Sequence, residues 1–142
     1  ALYEGYNGVI CTPVVLGRIP EEIKKAVQVA NEAMKLVSAK MKPGALSTEL
    51  YKVYGDFLEK KGYRQFSPYG SVHSLGMLEC ETPFFSSRRD VPLAENMTVA
   101  IDVYFKGLPW GSFRIEDTFV IRDKGAELLT TFNQGFIGKT FK

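Results

Sequence analysis

Two acidic residues and the single histidine have the types and positions that could do chemistry. Asp102 and Glu116 each lie within a run of alternating apolar and less apolar residues, and His73 lies in a stretch flanked by Ser and Gly. Carboxylates that converge on one pocket repel each other unless a proton or a cation lies between them. Imidazole is both a metal ligand and a base that titrates near neutral pH. One imidazole with two carboxylates is a set that suits Mn, Fe, Co or Zn.

The stretch from residue 97 to residue 121 predicts two paired strands. Val99, Ile101, Val103 and Phe105 alternate in the first run, and in the second run Ile115, Phe119 and Ile121 share one face with Asp117, which is the period of a half-buried strand. The connector, Lys106 to Phe113, contains two Gly and one Pro, which are turn formers. If the strands pair antiparallel, Asp102 and Glu116 sit mid-strand and point the same way. The alternative is a hairpin with one solvated face, on which such carboxylates are ordinary.

Two helices are predicted upstream of this hairpin. Pro20 and the two acidic residues after it favour a helix start, and apolar residues at three-and-four spacing continue to about Lys42. Pro43-Gly44 ends this helix. A second helix is predicted from Ser47, as its N-cap, to Lys61.

Strands are predicted on both sides of the helices. The apolar run 8–16 favours a strand, in which Pro13 indicates an edge position or a bulge. Residues 127–131 predict a last short strand. The order of elements indicates an α+β domain in which both helices cover one face of a curved, mostly antiparallel sheet.

Length, net charge and cysteine content indicate which classes of function are expected. The 142 residues suggest one domain with a real core, and a net charge of +2 gives no support for nucleic-acid binding. Membrane insertion is not expected either, because no apolar run approaches the roughly 20 residues that span a bilayer. Cys11 and Cys80 form no disulfide framework, so a reducing cytoplasm is the expected compartment.

Other polar residues near the candidates have two readings each. Arg114 lies two residues before Glu116 and could hold its carboxylate ionised, or it could form a surface ion pair of little energetic value. Cys80 could be a nucleophile, but no second histidine is present to activate it. Cys11 is interpreted as a small buried hydrophobe. Nucleotide binding has no support because the sequence lacks GxGxxG and Walker motifs.

The order of motifs resembles that of the creatinase/aminopeptidase family, which has the pita-bread fold and includes aminopeptidase P and Xaa-Pro dipeptidase. A strand ending at Gly17 leads into two helices separated by Lys42-Pro43-Gly44. A motif of the type H-x-x-G-x-x-x-H-E-x-P is represented by His73, Gly76, Cys80, Glu81 and Pro83. The strand MTVAID ends at Asp102. The motif G-x-R-x-E-D-T is present as Gly111, Arg114, Glu116, Asp117 and Thr118.

The resemblance implies roles for individual residues. His73, Asp102 and Glu116 match three of the family's five ligands for divalent metal (Mn, Co, Zn or Fe), with Asp102 in place of a glutamate. Val9 stands where the family has an aspartate ligand, and valine cannot bind a cation. Cys80 stands at the position of the second histidine, which assists substrate binding.

Further expectations follow from the same resemblance. His73 and Glu81 are the expected catalytic residues, with Glu81 around the ion or the substrate, and Cys80 and Arg114 are expected to bind substrate. The remaining aspartate ligand would precede residue 1. We therefore expect the chain to be the C-terminal part of a catalytic domain with a degenerate metal site.

Three functions are compatible with this pattern. The first is a metallopeptidase-like hydrolase of the Xaa-Pro dipeptidase or aminopeptidase class. The second is a metal-free enzyme like creatinase that cleaves a C–N bond in a small guanidino or amide compound. The third is a catalytically silent module that binds a peptide or a protein. The resemblance also implies a homodimer, for which the aromatic tail from Phe132 to Phe141 is a candidate contact, and packing in the core explains this tail equally well.

Overall fold

The computed structural model describes residues 1–130 and 137–139. The elements follow one another as β1 (Leu2–Tyr3), β2 (Tyr6–Asn7), β3 (Val14–Leu16), α1 (Glu21–Ser38), α2 (Ser47–Lys61), a short 3-10 helix (Arg64–Phe66), β4 (Val72–Ser74), β5 (Thr98–Leu108), β6 (Gly111–Arg122), β7 (Gly125–Leu128) and β8 (Ile137–Lys139).

A four-stranded antiparallel sheet in the order β4-β5-β6-β7 forms the centre of the fold. Its long hairpin, β5 and β6, is paired from Thr98 opposite Val120 to Phe105 opposite Phe113. The short β4 adds to the outer edge of β5, and β7 adds to β6. Two small pairs lie outside this sheet, namely antiparallel β1 with β2 and parallel β3 with β8.

The hydrophobic core lies between the two helices and one face of the hairpin. Every second residue of β5 points into it, and α1 contributes an apolar stripe at three-and-four spacing. The largest fully buried core side chains include Phe105, Met41, Leu50, Leu58, Ile101, Ile115 and Ile121. The predicted class, α+β with two helices on a mostly antiparallel sheet, is confirmed.

The predicted helix boundaries need small corrections. Helix α1 ends at Ser38 instead of Lys42. Helix α2 has Leu46 as its N-cap, because the hydroxyl of Ser47 donates to the carbonyl of Arg89 at 2.8 Å and accepts from the N–H of Val91 at 3.1 Å. The carboxylate of Glu49 accepts instead from the N–H of Leu46, at 3.4 Å.

Strand boundaries also differ from prediction. Strand β5 continues to Leu108, and strand β6 begins at Gly111. A bulge after Phe105, with Gly107 at φ +76°, lets the two strands pair through residues that were expected to form a loop. In the predicted strand 8–16 only Val14–Leu16 is regular, and β7 starts before residue 127. The aromatic tail lies largely outside the described residues. No helix of the described part is long and apolar enough to cross a membrane.

Candidate active site on the hairpin

Asp102 and Glu116 lie directly opposite each other in the register of β5 and β6. Cross-strand partners point to the same face of a sheet, so the two carboxylates share the face opposite the helices. Each residue is only 5% exposed. The alternative of an ordinary solvated face is therefore excluded, and the repulsion between two buried acids needs compensation.

His73 joins these acids from the neighbouring strand. Strand β4 places His73 opposite Ala100, and its Nε2 lies 3.0 Å from Oε1 of Glu116. Its Nδ1 lies 3.1 Å from the carbonyl oxygen of Ser74. Both ring nitrogens thus face acceptors, an arrangement that a doubly protonated imidazolium satisfies.

The surroundings of His73 act on its pKa in opposite directions. Burial favours the neutral ring and would lower the pKa. The hydrogen bonds to Glu116 and to the Ser74 carbonyl, together with the charges of Glu116 and Asp102, outweigh burial and raise the pKa of His73 above 6.5. The surroundings of His73 therefore shift its titration toward higher pH.

Arg114 supplies a positive charge between the two acids. Its Nε lies 3.2 Å from Oδ1 of Asp102, and its Nη1 lies 3.8 Å from Oε2 of Glu116. The guanidinium also lies over the ring of Tyr104, 5.2 Å from its centroid. The contact at Oδ1 is an ion pair without a directed hydrogen bond. Arg114 thus contacts both carboxylates, and its predicted role in substrate binding stays a prediction.

Tyr69 is a member of the cluster that sequence reasoning missed. Its hydroxyl donates to Oδ2 of Asp102 at 2.7 Å and accepts from Nη2 of Arg114 at 2.7 Å. Its ring stacks on Tyr104 at 5.9 Å between centroids. The hydroxyl of Ser67 donates to the backbone carbonyl of Tyr69, which fixes this loop. Nothing in the spacing of an aromatic loop could have identified the contact.

The surroundings of Asp102 also act on its pKa in opposite directions. Burial raises its pKa, and the charge of Glu116 adds to the rise. The Tyr69 hydrogen bond and the positive charges of Arg114 and His73 lower it, but the pKa stays above its ordinary value of 3.8. Burial also raises the pKa of the Tyr69 hydroxyl, as does its hydrogen bond to the carboxylate.

Val9 and Cys11 lie beside the cluster on the N-terminal segment. Cys11 and Glu116 form an antiparallel bridge, with N–H to carbonyl distances of 2.9 and 3.0 Å. The hydroxyl of Thr118 donates to the carbonyl of Val9 at 2.8 Å. Cys11 is half-buried, and burial together with the charge of Glu116 raises the pKa of its thiol. The interpretation of Cys11 as a mere core residue therefore misses its position.

Cys80 and Glu81 lie on an irregular loop after β4. Cys80 is exposed, and Glu81 is half-buried with its carboxylate accepting from the N–H of Leu78 at 3.0 Å. A Cβ on Gly76 would come within 2.2 Å of this carboxylate, so Gly76 makes room for it. The roles predicted for Cys80 and Glu81 stay predictions.

These residues do not fit a metal centre as they are arranged. A neutral His73 would have to present a lone pair, whereas both its nitrogens face acceptors. Asp102 is already engaged by Tyr69 and Arg114, and Val9 offers only methyl groups. Within residues 1–130, no three His, Cys, Asp or Glu side chains are arranged so that they could hold a metal ion.

Known proteins share this architecture. The chain matches the model of metallopeptidase family M24 over residues 1–123. It is 31% identical over 132 residues to a Xaa-Pro dipeptidase of Pyrococcus furiosus, covering 92% of this chain and 37% of that protein. An uncharacterized peptidase of Bacillus subtilis is 32% identical over 130 residues, again covering 92% and 37%. The X-Pro aminopeptidase structure from Thermotoga maritima superposes with a TM-score of 0.91 at 29% identity, covering 98% of this chain and 40% of that one.

The fold and the motif positions define a pita-bread domain of the peptidase type, and the predicted resemblance to its Xaa-Pro dipeptidase branch is confirmed. The chain belongs to metallopeptidase family M24. It spans less than half the length of the relatives that it matches, 37% in the two curated proteins, and so represents a partial domain.

Proposed function

We propose that the protein is a hydrolase of the Xaa-Pro peptidase class whose metal site is degenerate. The observation that carries this proposal is the 3.0 Å contact between His73 Nε2 and Glu116 Oε1, made by two residues at family motif positions. The contact joins an imidazole, which can act as a general base, to a buried acid, and hydrolysis of an amide needs such proton transfer.

Proton transfer by this pair accounts for the chemistry without further groups. Water attacks the carbonyl carbon, the C–N bond breaks, and the amine leaves. Neutral His73 would take a proton from the attacking water, Glu116 would stabilise the imidazolium that forms, and the imidazolium would return the proton to the leaving nitrogen, so that the protons balance. His73 is suited to this because its side chain is 20% exposed and is the most accessible group of the pair.

A metal-free hydrolase of small guanidino or amide compounds is the second candidate. The position of Arg114 favours it, because its contacts with Asp102 and Glu116 show that these carboxylates can hold a guanidinium group. A guanidino substrate could displace Arg114 and use the same carboxylates. In that case His73 would again move the proton.

The proposal also covers the substrate, the assembly and the compartment of the protein. A peptide or small amide is the proposed substrate, and a homodimer is the proposed assembly. The two free thiols, Cys11 and Cys80, are compatible with a reducing cytoplasm, which we propose as the compartment.

The deciding experiment uses the full-length polypeptide and its His73→Ala variant. Hydrolysis of Xaa-Pro dipeptides is measured beside hydrolysis of small guanidino compounds, after chelation and after loading with Mn, Co, Zn or Fe. Tyr63→Phe is the matched control, because Tyr63 packs on the core residue Phe105 at 5.2 Å.

We expect Xaa-Pro hydrolysis that falls about a hundredfold or more in His73→Ala and is unchanged in Tyr63→Phe. Cleavage of guanidino compounds alone would favour the second candidate. Activity that survives His73→Ala would contradict both, and a lack of any hydrolysis would favour a silent binding module.

A further inference from the structure

Tyr69, Asp102 and Arg114 form a closed triangle of polar contacts. The hydroxyl of Tyr69 bonds to both other members at 2.7 Å, and Arg114 Nε lies 3.2 Å from the second oxygen of Asp102. One oxygen of Asp102 therefore accepts a hydrogen bond, and the other faces the charge of Arg114 without a hydrogen bond. Each of the three side chains makes two of these contacts, so the rotation of any one side chain would break both of its contacts.

The triangle is held in place from outside as well. The ring of Tyr104 lies against both Arg114 and Tyr69. On the other side, Ser67 bonds to the carbonyl of Tyr69, and the buried Tyr54 bonds to the Ser67 hydroxyl at 2.9 Å. This chain of contacts links the loop of Tyr69 to helix α2, so the position of the Tyr69 hydroxyl is set by the fold.

Both carboxylates of the cluster have partners within the protein. Arg114 lies 3.2 Å from Asp102 and 3.8 Å from Glu116, and the imidazole of His73 lies 3.0 Å from Glu116. A divalent cation would have to displace Arg114 from the carboxylates, because like charges at such distances repel strongly in a buried site. The shorter reach of Asp102, compared with the glutamate of the family, leaves it with these partners.

We propose that Tyr69 is a positioning residue that clamps the Asp102–Arg114 ion pair and so keeps Asp102 from serving as a metal ligand. The proposal rests on the degenerate metal site of the proposed function, but it concerns metal affinity and not hydrolysis. It assigns to Arg114 the place of the cation, and to Tyr69 the hydroxyl that keeps it there.

The test is titration of Mn²⁺ and Zn²⁺ into the metal-depleted full-length protein, followed by calorimetry. The variants are Tyr69→Phe, which removes only the hydroxyl, and Arg114→Met, which removes the cation. Arg114→Lys keeps the charge but not the bond to Tyr69. Tyr63→Phe serves as the matched control, since it removes a tyrosine hydroxyl outside the cluster.

We expect Mn²⁺ affinity to rise at least about fivefold in Tyr69→Phe and at least about tenfold in Arg114→Met, and to stay unchanged in Tyr63→Phe. Circular dichroism of each variant excludes a gain that comes from partial unfolding, which would free thiols and carboxylates for the metal. An affinity in Tyr69→Phe within twofold of the parent, or below it, would overturn the proposal, as would a lack of binding in every variant. If Arg114→Met does not fold, Tyr69→Phe alone decides. Loss of hydrolysis with the affinity gain intact would count against the proposed function only.

Discussion

The two faces of the β5–β6 hairpin are both buried, but by different physical means. One face presents apolar side chains such as Ile101, Val103 and Phe105 to the helices, and all three are inaccessible to solvent. The other presents Asp102 and Glu116, and each of these residues is only 5% exposed. The first face is stabilised by transfer of apolar surface from water, and the second is tolerable only because each charge has a partner.

Asp117 is an acidic residue on the otherwise apolar core face. It lies on the core face between Ile115 and Phe119, is fully buried, and one of its oxygens accepts a hydrogen bond from Thr130. Its other oxygen has no partner among the described residues. Burial accordingly raises the pKa of Asp117, with a further rise from Glu116. A carboxylate on this face has fewer compensating contacts than one on the site face.

The largest effect is expected from the core face. Phe105→Ala should reduce the free energy of unfolding by about 4 kcal/mol, because it removes a fully buried ring that stacks on Tyr63 and meets Phe113 edge-on. Chemical denaturation of the full-length protein measures this. A loss below about 1 kcal/mol would show that the core face does not depend on its apolar packing.

A charge change on the site face should act on activity. Glu116→Gln keeps the shape but removes the carboxylate charge that stabilises His73 when it takes up a proton, and should lower kcat about a hundredfold, equivalent to about 2.7 kcal/mol. Steady-state kinetics on the preferred substrate provide the measurement. An unchanged kcat would remove Glu116 from the mechanism.

The same variant gives a pH dependence of known sign. Because the folded state raises the pKa of His73, its contribution to stability is fully present below 6.5 and is lost as pH rises through the raised value. In Glu116→Gln this loss should be smaller, since the hydrogen bond to Glu116 is the largest cause of the rise. Urea unfolding across the neutral range, with His73→Ala as reference, checks the slope. An equal slope in both proteins would contradict the assignment.

Replacing Arg114 on the site face should lower the free energy of unfolding by less than replacing Phe105 on the core face. Arg114→Met should destabilise the protein by about 2 kcal/mol, below the 3–5 kcal/mol of a fully buried pair, because 36% of the Arg114 side chain is exposed. Arg122→Met is the matched control. Its ion pair with Glu127 is about half exposed on both sides, so about 0.5 kcal/mol or less is expected. Equal losses would mean that Arg114 does not compensate buried charge.

The smallest effect concerns the aromatic support of the cluster. Tyr104→Leu, combined with Arg114→Met in a double-mutant cycle, should give a coupling energy of about 0.5 to 1 kcal/mol from the guanidinium lying over the ring. Denaturation of the four proteins supplies the cycle. Strict additivity would indicate that the stacking has no energetic role.

The core face was predictable from sequence, and much of the site face was not. Alternation with period two fixes which residues of β5 and β6 point together, so the pairing of Asp102 with Glu116 could be expected. The bulge at Gly107 could not, since a glycine marks a turn and a continued strand equally well. Ser47 was predicted as an N-cap, but its hydroxyl serves a loop 42 residues away.

The compensating contacts depend on the same long-range geometry. Tyr69 reaches Asp102 across 33 residues and Arg114 across 45. No local pattern encodes such contacts, because they arise only when the loop before β4 folds over the hairpin. For the same reason the family motifs indicated where ligands would lie, but not that Arg114 would contact the carboxylates.

Arg114 occupies the position beside Asp102 and Glu116 that a cation would otherwise need. A crystal structure of the full-length protein, grown with Mn²⁺ and recorded with anomalous scattering at the manganese edge, tests this placement most directly. The account predicts no anomalous peak at the two carboxylates and the Arg114 guanidinium within about 4 Å of both. A strong peak between Asp102 and Glu116, with Arg114 turned away, would contradict it.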